Sequence, residues 1–314
     1  MGAARLSKVP LAGWVWSESR GLDFGSVFCP FAADVTLPQM FKEDGREVIL
    51  TDMRLSSYRL GRALVENGGT ALDPFDVDAL TADNPARGGL MASLAGAMGI
   101  PKTDAAWLDN YAANIASLDG EYKDDLAYTI GGYLIRYLLS MRGESAALRP
   151  EEDLGATFRY YVESVNEKVF PTAAGCSAHN EDANAMISRV QCDALYVYLP
   201  DAGGYADMDE DARYVETFNR GCTEEQLRAL MKKPACGLGA KIEDVEDYRA
   251  ALRDFFTLAL HVPVWIAASN VSRGIPPAET EKILREFRNN VKTLAKEINH
   301  DQGPWTELLF IATD

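Results

Sequence analysis

The chain has 314 residues, with 47 acidic against 31 basic side chains, three histidines, a formal charge of −16 and a hydrophobic share of 47%. An ordinary apolar fraction and only five cysteines exclude intrinsic disorder, a collagen-like repeat and a disulfide-stapled miniprotein. The acidic balance also argues against general coating of nucleic acid, which needs a positive surface.

The length accommodates one large domain or two modest ones. No apolar run of signal-peptide type opens the chain, and its greasiest stretch, Leu126 to Met141, is interrupted by Arg136. The expectation is a cytoplasmic protein that does not enter a membrane. Cys29, Cys176, Cys192, Cys222 and Cys236 are odd in number and widely spaced, and read mainly as small buried hydrophobes.

In chain order, three runs rich in β-branched and aromatic residues predict short N-terminal strands: Gly13–Trp16, Ser26–Cys29 and Glu47–Thr51. Arg59 to Asn67 reads as a short helix, capped by Ser56 or Ser57 and closed by Gly68-Gly69. Residues 71–104 are turn-rich and predict a linker or surface excursion. Beyond them, apolar spacing of three to four predicts three helices: one along Leu108–Leu118, one along Leu126–Met141 and one along Leu154–Val169. Asp193–Leu199 is the clearest strand. Thr223 and Gln226 form a capping box, Asp244–Leu260 is amphipathic, and Val262–Ala267 is another strand. Pro276-Pro277 introduces a predicted last helix reaching about Asn299, and Glu307–Ala312 ends the chain as a strand.

The fold class expected is α+β and helix-rich: short N-terminal strands, a central helical segment, and a C-terminal strand completing a mixed sheet. The expected segments are 1–70, the 71–104 excursion and a main body over 105–314. Regular βαβ alternation is absent, which disfavours a doubly wound sheet.

Four places carry candidate chemistry. Glu47–Leu55 (EVILTDMRL) resembles the strand and phosphoacceptor loop of response-regulator receiver domains, with Asp52 in the acceptor place. Trp14-Val15-Trp16-Ser17 lacks the acidic pair that would hold Mg²⁺, and Ser56 stands near where a proline would be, so Asp52 reads as a strand-end aspartate beside Arg54. Cys176, His179 and Cys192 offer three ligands for tetrahedral Zn²⁺, or a thiol with its imidazole base. Asp201, Asp207, Asp209 and Asp211 lack the glycine and glutamate of a calcium loop, and read as an acidic helix start. Finally, Lys282, Arg285, Arg288, Lys292 and Lys296 fall on one face of the predicted last helix, opposite Ile283, Leu284, Phe287, Val291, Leu294 and Ile298.

No G-x-S-x-G, G-x-x-x-x-G-K-[ST], G-x-G-x-x-G or H-E-x-x-H motif is present. With a single basic stripe on an acidic chain, this points first to a non-catalytic assembly or binding subunit of a larger complex, of viral-coat or effector-complex type. Such a subunit would self-associate or dock on a protein partner, with nucleic acid a partner only through the stripe. The second reading is an enzyme built around Cys176, His179 and Cys192, with zinc its one candidate cofactor. A third is a small-ligand sensor using Tyr133, Tyr137, Tyr160 and Tyr161.

Overall fold

The computed structural model describes residues 9–143, 154–200, 208–231, 237–242, 244–271, 275–300 and 303–314. The chain divides into two units, one from Met1–Met53, Thr172–Met208 and Met231–Asp314, the other from Arg54–Pro171 and Asp209–Leu230. The expected segments at 70 and 104 do not coincide with this interleaved division.

In the first unit, seven strands among the described residues form one sheet: β1 (Ser26–Pro30), β2 (Glu47–Thr51), β3 (Ser177–His179), β4 (Ala194–Tyr198), β5 (Val264–Asn270), β6 (Asn290–His300) and β7 (Gly303–Thr313). Their order is β3-β2-β1-β4-β5-β7-β6. The first five run parallel, and β7 lies antiparallel between β5 and β6. The sheet is mixed, the chain helix-rich and the last strand C-terminal, as the α+β reading has it. Within that sheet, however, the chain winds outward from β1 both ways, through β2 and β3 on one side and β4 and β5 on the other. Double winding is therefore present. Its rhythm is hidden in the sequence because the second unit is threaded between β2 and β3 and again after β4.

Alternation along β4 sorts its two faces. Leu195 and Val197 join a core with Ile187 of α9 (Ala183–Ile187), Phe255 of α12 (Val245–Leu258) and Leu284 of α13 (Pro277–Arg285). Tyr196 turns the other way, its ring 6.4 Å from Phe41 of α2 (Thr36–Glu43). Residues Gly13–Trp16, expected as a strand, belong instead to helix α1 (Val9–Ser19). Tertiary contacts override their β propensity here: the Trp16 indole N–H donates to Asp44 Oδ2 at 2.8 Å. At the amino edge of the sheet, Asp193 Oδ2 accepts from the Gly25 N–H, the Ser26 N–H and the Ser26 hydroxyl, each at 2.9 Å, and so fixes β4 beside β1.

The C-terminal region departs most from expectation. Helix α13 stops at Arg285, and residues to about 299 continue as β6 of a long hairpin. Eleven paired residues with β7 outweigh the local helical spacing. The basic helix face therefore does not form. Arg285 binds Glu281 and the Val291 carbonyl. Arg288 is 5% exposed, donates to the Leu260 and Val262 carbonyls, and stacks on Trp265 at 4.1 Å. Lys292 pairs with Glu18 at 3.2 Å and Lys296 lies 5.8 Å from the Trp14 ring. Lys282 stays on α13, separated from the two strand lysines by the turn after Arg285.

The second unit is helical: α3 (Leu55–Gly61) running into a π-helical turn at Arg62–Glu66, α4 (Pro74–Thr81), α5 (Leu90–Met98), α6 (Lys102–Ile115), α7 (Lys123–Ser140), α8 (Leu154–Asn166), α10 (Glu210–Arg220) and α11 (Glu224–Met231). Residues 71–104, read as an excursion, thus carry α4 and α5. The expected serine cap of the first helix is replaced by a carboxylate from another helix. Glu216, fully buried, accepts from the Leu55 and Ser56 N–H groups at 2.8 and 2.9 Å. The capping box at Thr223 and Gln226 is present, with both reciprocal bonds. Gly131 lets α7 approach α10 closely, because a Cβ there would overlap the Phe218 ring. Tyr133, Tyr137 and Tyr161 are half-buried and Tyr160 is 65% exposed, so this aromatic group is a helix surface more than a core.

Candidate active site

In a doubly wound sheet, ligands bind outside the carboxyl ends of the strands where the winding reverses. Here that place lies between β1 and β4. The turn after β1 is tight and bears no glycine: Phe31 holds a left-handed φ of +56°, the Ala33 N–H closes back on the Phe31 carbonyl at 2.7 Å, and the Ala32 N–H donates to the Thr51 carbonyl at 3.3 Å. A non-glycine residue at such a φ stores roughly 1–2 kcal/mol of strain, a cost tolerated chiefly at functional turns. Asp34 then accepts from the Thr36 N–H at 2.8 Å and starts α2.

Asp52 closes β2 beside this turn and is 1% exposed. Its N–H donates to the His179 carbonyl at 3.2 Å, and its own carbonyl accepts from Asn180 Nδ2 at 2.8 Å. A cleft of about 40 Å³ lies under the turn, walled by Leu11 and Ala12 of α1 and by Cys29, Phe31, Asp34, Tyr196 and Tyr198. At the far side, the Tyr198 hydroxyl donates to Glu307 Oε2 and Asn270 Nδ2 donates to Glu307 Oε1, both at 3.2 Å. Asn270 and Glu307 are buried, at 4% and 5% exposure. Burial pushes the Tyr196 hydroxyl well above the usual tyrosine range, so Tyr196 keeps its proton. Cys29 is likewise raised, first by burial and then by the neighbouring Cys192 and Cys176, and remains a thiol.

The three proposed zinc ligands do not converge. His179 ends edge strand β3 and Cys176 immediately precedes it, while Cys192 precedes β4, three strand spacings or roughly 14 Å away. His179 Nε2 meets the Ser177 hydroxyl at 3.1 Å, and burial raises Cys192 to about 12. Among the described residues, no group of three His, Cys, Asp or Glu side chains could hold a metal ion. Of the acidic cluster, Asp201 and Asp207 lie outside the described residues, and Asp209 caps α10 through the Ala212 N–H. No helix among the described residues is long and apolar enough to cross a membrane.

Asp34, Tyr196, Tyr198, Asn270 and Glu307 were not singled out by sequence. Their available signal is positional: polar groups in or just past the parallel strands, and a lone glutamate within β7 ahead of the apolar run Leu308–Ala312.

No protein-family model matches the chain. Over 219 residues it is 26% identical to the Type II methyltransferase M2.HphI of Haemophilus parahaemolyticus, an alignment covering 63% of this chain and 64% of that relative. The chain thus matches less than two-thirds of the relative's length. This likeness to an enzyme overturns the reading as a non-catalytic structural subunit of viral-coat or effector-complex type. It also points to chemistry other than that of a Cys/His or zinc enzyme.

Proposed function

We propose that the chain is a methyltransferase that binds S-adenosylmethionine at the carboxyl edge of β1, β2 and β4 and modifies an amino nitrogen of a base in DNA. The observation that carries this reading is the likeness to the Type II methyltransferase M2.HphI. The strand order supports it by putting the winding reversal, the general ligand position of such sheets, between β1 and β4.

The residues at that position fit this donor by their chemistry. The β1–α2 turn has neither the glycines nor a basic group that would cradle phosphate, and Asp34 at the start of α2 would repel one. A carboxylate there suits a nucleoside that is phosphate-free and cationic. Asp52, about twenty residues beyond β1, occupies the place where such sheets set an acidic residue for ribose hydroxyls. When bound, the donor supplies a methyl group on a sulfonium cation. The chain's own part is to balance that charge with Asp34 and to hold the acceptor at β4.

An amino acceptor is favoured over a ring carbon because carbon methylation needs a thiolate to add to the ring. Among the described residues, the one thiol lining the cleft, Cys29, is buried and held protonated. The net charge of −16 works against phosphate contacts, so the test belongs at low salt. The full chain, incubated with methyl-tritiated S-adenosylmethionine and duplex DNA, should leave label that digestion releases as an amino-methylated nucleoside. Label in 5-methylcytosine, or in no nucleoside, overturns the reading.

A further inference from the structure

The cleft under the β1–α2 turn is closed. At about 40 Å³ it has room for water, whereas sites for ligands of nucleoside size and above run to roughly 300 Å³ or more. One of its walls must therefore move before a donor enters, and the walls differ in how they are held. Cys29 and Pro30 belong to β1, paired residue by residue with β2, while Tyr196 and Tyr198 belong to β4, paired with β5. The Phe31 turn is tied by the Ala32 and Ala33 N–H groups, and Leu37 of α2 lies one turn from the fully buried Phe41. The remaining wall is the start of α1, which contributes Leu11 and Ala12.

Helix α1 is fastened through its second half. Trp16 bonds Asp44 at 2.8 Å, Glu18 pairs with Lys292 at 3.2 Å, and Val15 and Ser19 are fully buried. Just past its end, the Arg20 carbonyl accepts from Arg46 at 3.1 Å. Ahead of these contacts, the Trp14 ring lies 5.8 Å from Lys296, and burial of Leu11 and Ala12 holds the first turn down. Gly13 separates the two parts. A Cβ there would meet nothing within 4 Å, so packing does not demand a glycine. What glycine brings inside a helix is easier unwinding.

We propose that the first turn of α1 is a lid over the cleft: it unwinds at Gly13, lifts Leu11 and Ala12 away, and opens the space that Cys29 borders. What the lid admits, S-adenosylmethionine, rests on the methyltransferase reading. Its motion rests on the walls of the cleft.

The test reads Cys29, which is 2% exposed and kept a thiol by burial, so a reagent reaches it only when the cleft opens. The full chain is pulsed with iodoacetamide, and label at each cysteine is measured by peptide mass spectrometry. Gly13→Ala adds only a methyl group in open space and should slow labelling of Cys29 about threefold, the helix preference of alanine over glycine. Leu11→Ala removes the lid's main buried side chain and should speed labelling at least roughly tenfold. Cys192, just ahead of β4 and away from the cleft, should keep its own rate within twofold in both variants. General loosening would instead move the two thiols together.

An unchanged Cys29 rate in either folded variant, or a Cys192 rate that follows Cys29, overturns the proposal. Should Leu11→Ala not fold, Gly13→Ala decides it alone. Saturating S-adenosylmethionine should in addition protect Cys29 in the wild type. Protection without the variant effects sinks the lid alone. The variant effects without protection sink the methyltransferase reading alone.

Discussion

The two ends of the parallel strands differ in what their polar groups are used for. At the amino end, Asp193 spends its carboxylate on Gly25 and Ser26 in a closed clamp that joins β4 to β1. At the carboxyl end, Asp34, Tyr198, Asn270 and Glu307 also bond to one another or to nearby backbone, yet two of them wall a cleft, and the turn between them carries Phe31 at a left-handed φ. Hydrogen bonding alone does not separate structure from site. What separates them is whether the residue borders a space.

The contrast predicts that substitutions at the two ends divide between function and stability. The largest functional effect is expected from Asp52→Asn, which keeps shape and removes charge at the end of β2. A charge-assisted bond to a ligand hydroxyl is worth about 1.5–3 kcal/mol, so donor binding measured by calorimetry should weaken roughly a hundredfold. The thermal midpoint should move little. A weakening below threefold would remove Asp52 from the site.

At the amino end the expectation is reversed. Asp193→Ala breaks three bonds at a solvent-facing clamp and should cost about 1–2 kcal/mol in urea unfolding, with methyl transfer within twofold of wild type. The Ser26 hydroxyl, with the Gly25 and Ser26 N–H groups, holds the Asp193 carboxyl below the usual aspartate range. Its contribution is therefore present above the unfolded-state value near 4 and lost as pH falls through the lower folded-state value. The variant should lose less stability than the wild type on acidification below pH 4. An equal loss in both would mean the clamp carries no linkage.

This division also explains what the sequence could disclose. The bounds of β2, the core of β4, the capping box at Thr223 and the three helices α6, α7 and α8 were legible because period and punctuation are local signals. Residues 286–299 were misread as helix because Val291, Leu294 and Ile298 keep a helical spacing, while the deciding contact, the pairing with β7, is a tertiary fact. The trans cap from Glu216 escaped for the same reason, since its partners lie some 160 positions away. At the site, Asp52 was visible as a strand-end aspartate, but the sequence could not show that β1 and β4 are neighbours. Nor could it show that Glu307 meets Tyr198 across 109 positions. The double winding was obscured because the helical unit interrupts the sheet's own sequence.

The smallest effects should come from the thiols, and they test the comparison most sharply because Cys29 lies at the cleft while Cys176 and Cys192 lie away from it. If proximity to the cleft were enough, Cys29 would matter most to the reaction. Its burial and raised pKa argue instead that it serves as a wall. Cys29→Ala should cost about 1 kcal/mol of stability for the lost buried sulfur and leave methyl transfer within twofold. Cys176→Ser and Cys192→Ser should also stay within twofold, and thiol alkylation of the native protein should proceed slowly at Cys192, whose pKa is pushed up to about 12. A Cys29→Ala variant that keeps its fold and its donor binding but loses transfer would make the thiol a reacting group. The acceptor would then be a ring carbon, and the amino-nitrogen assignment would fall with it.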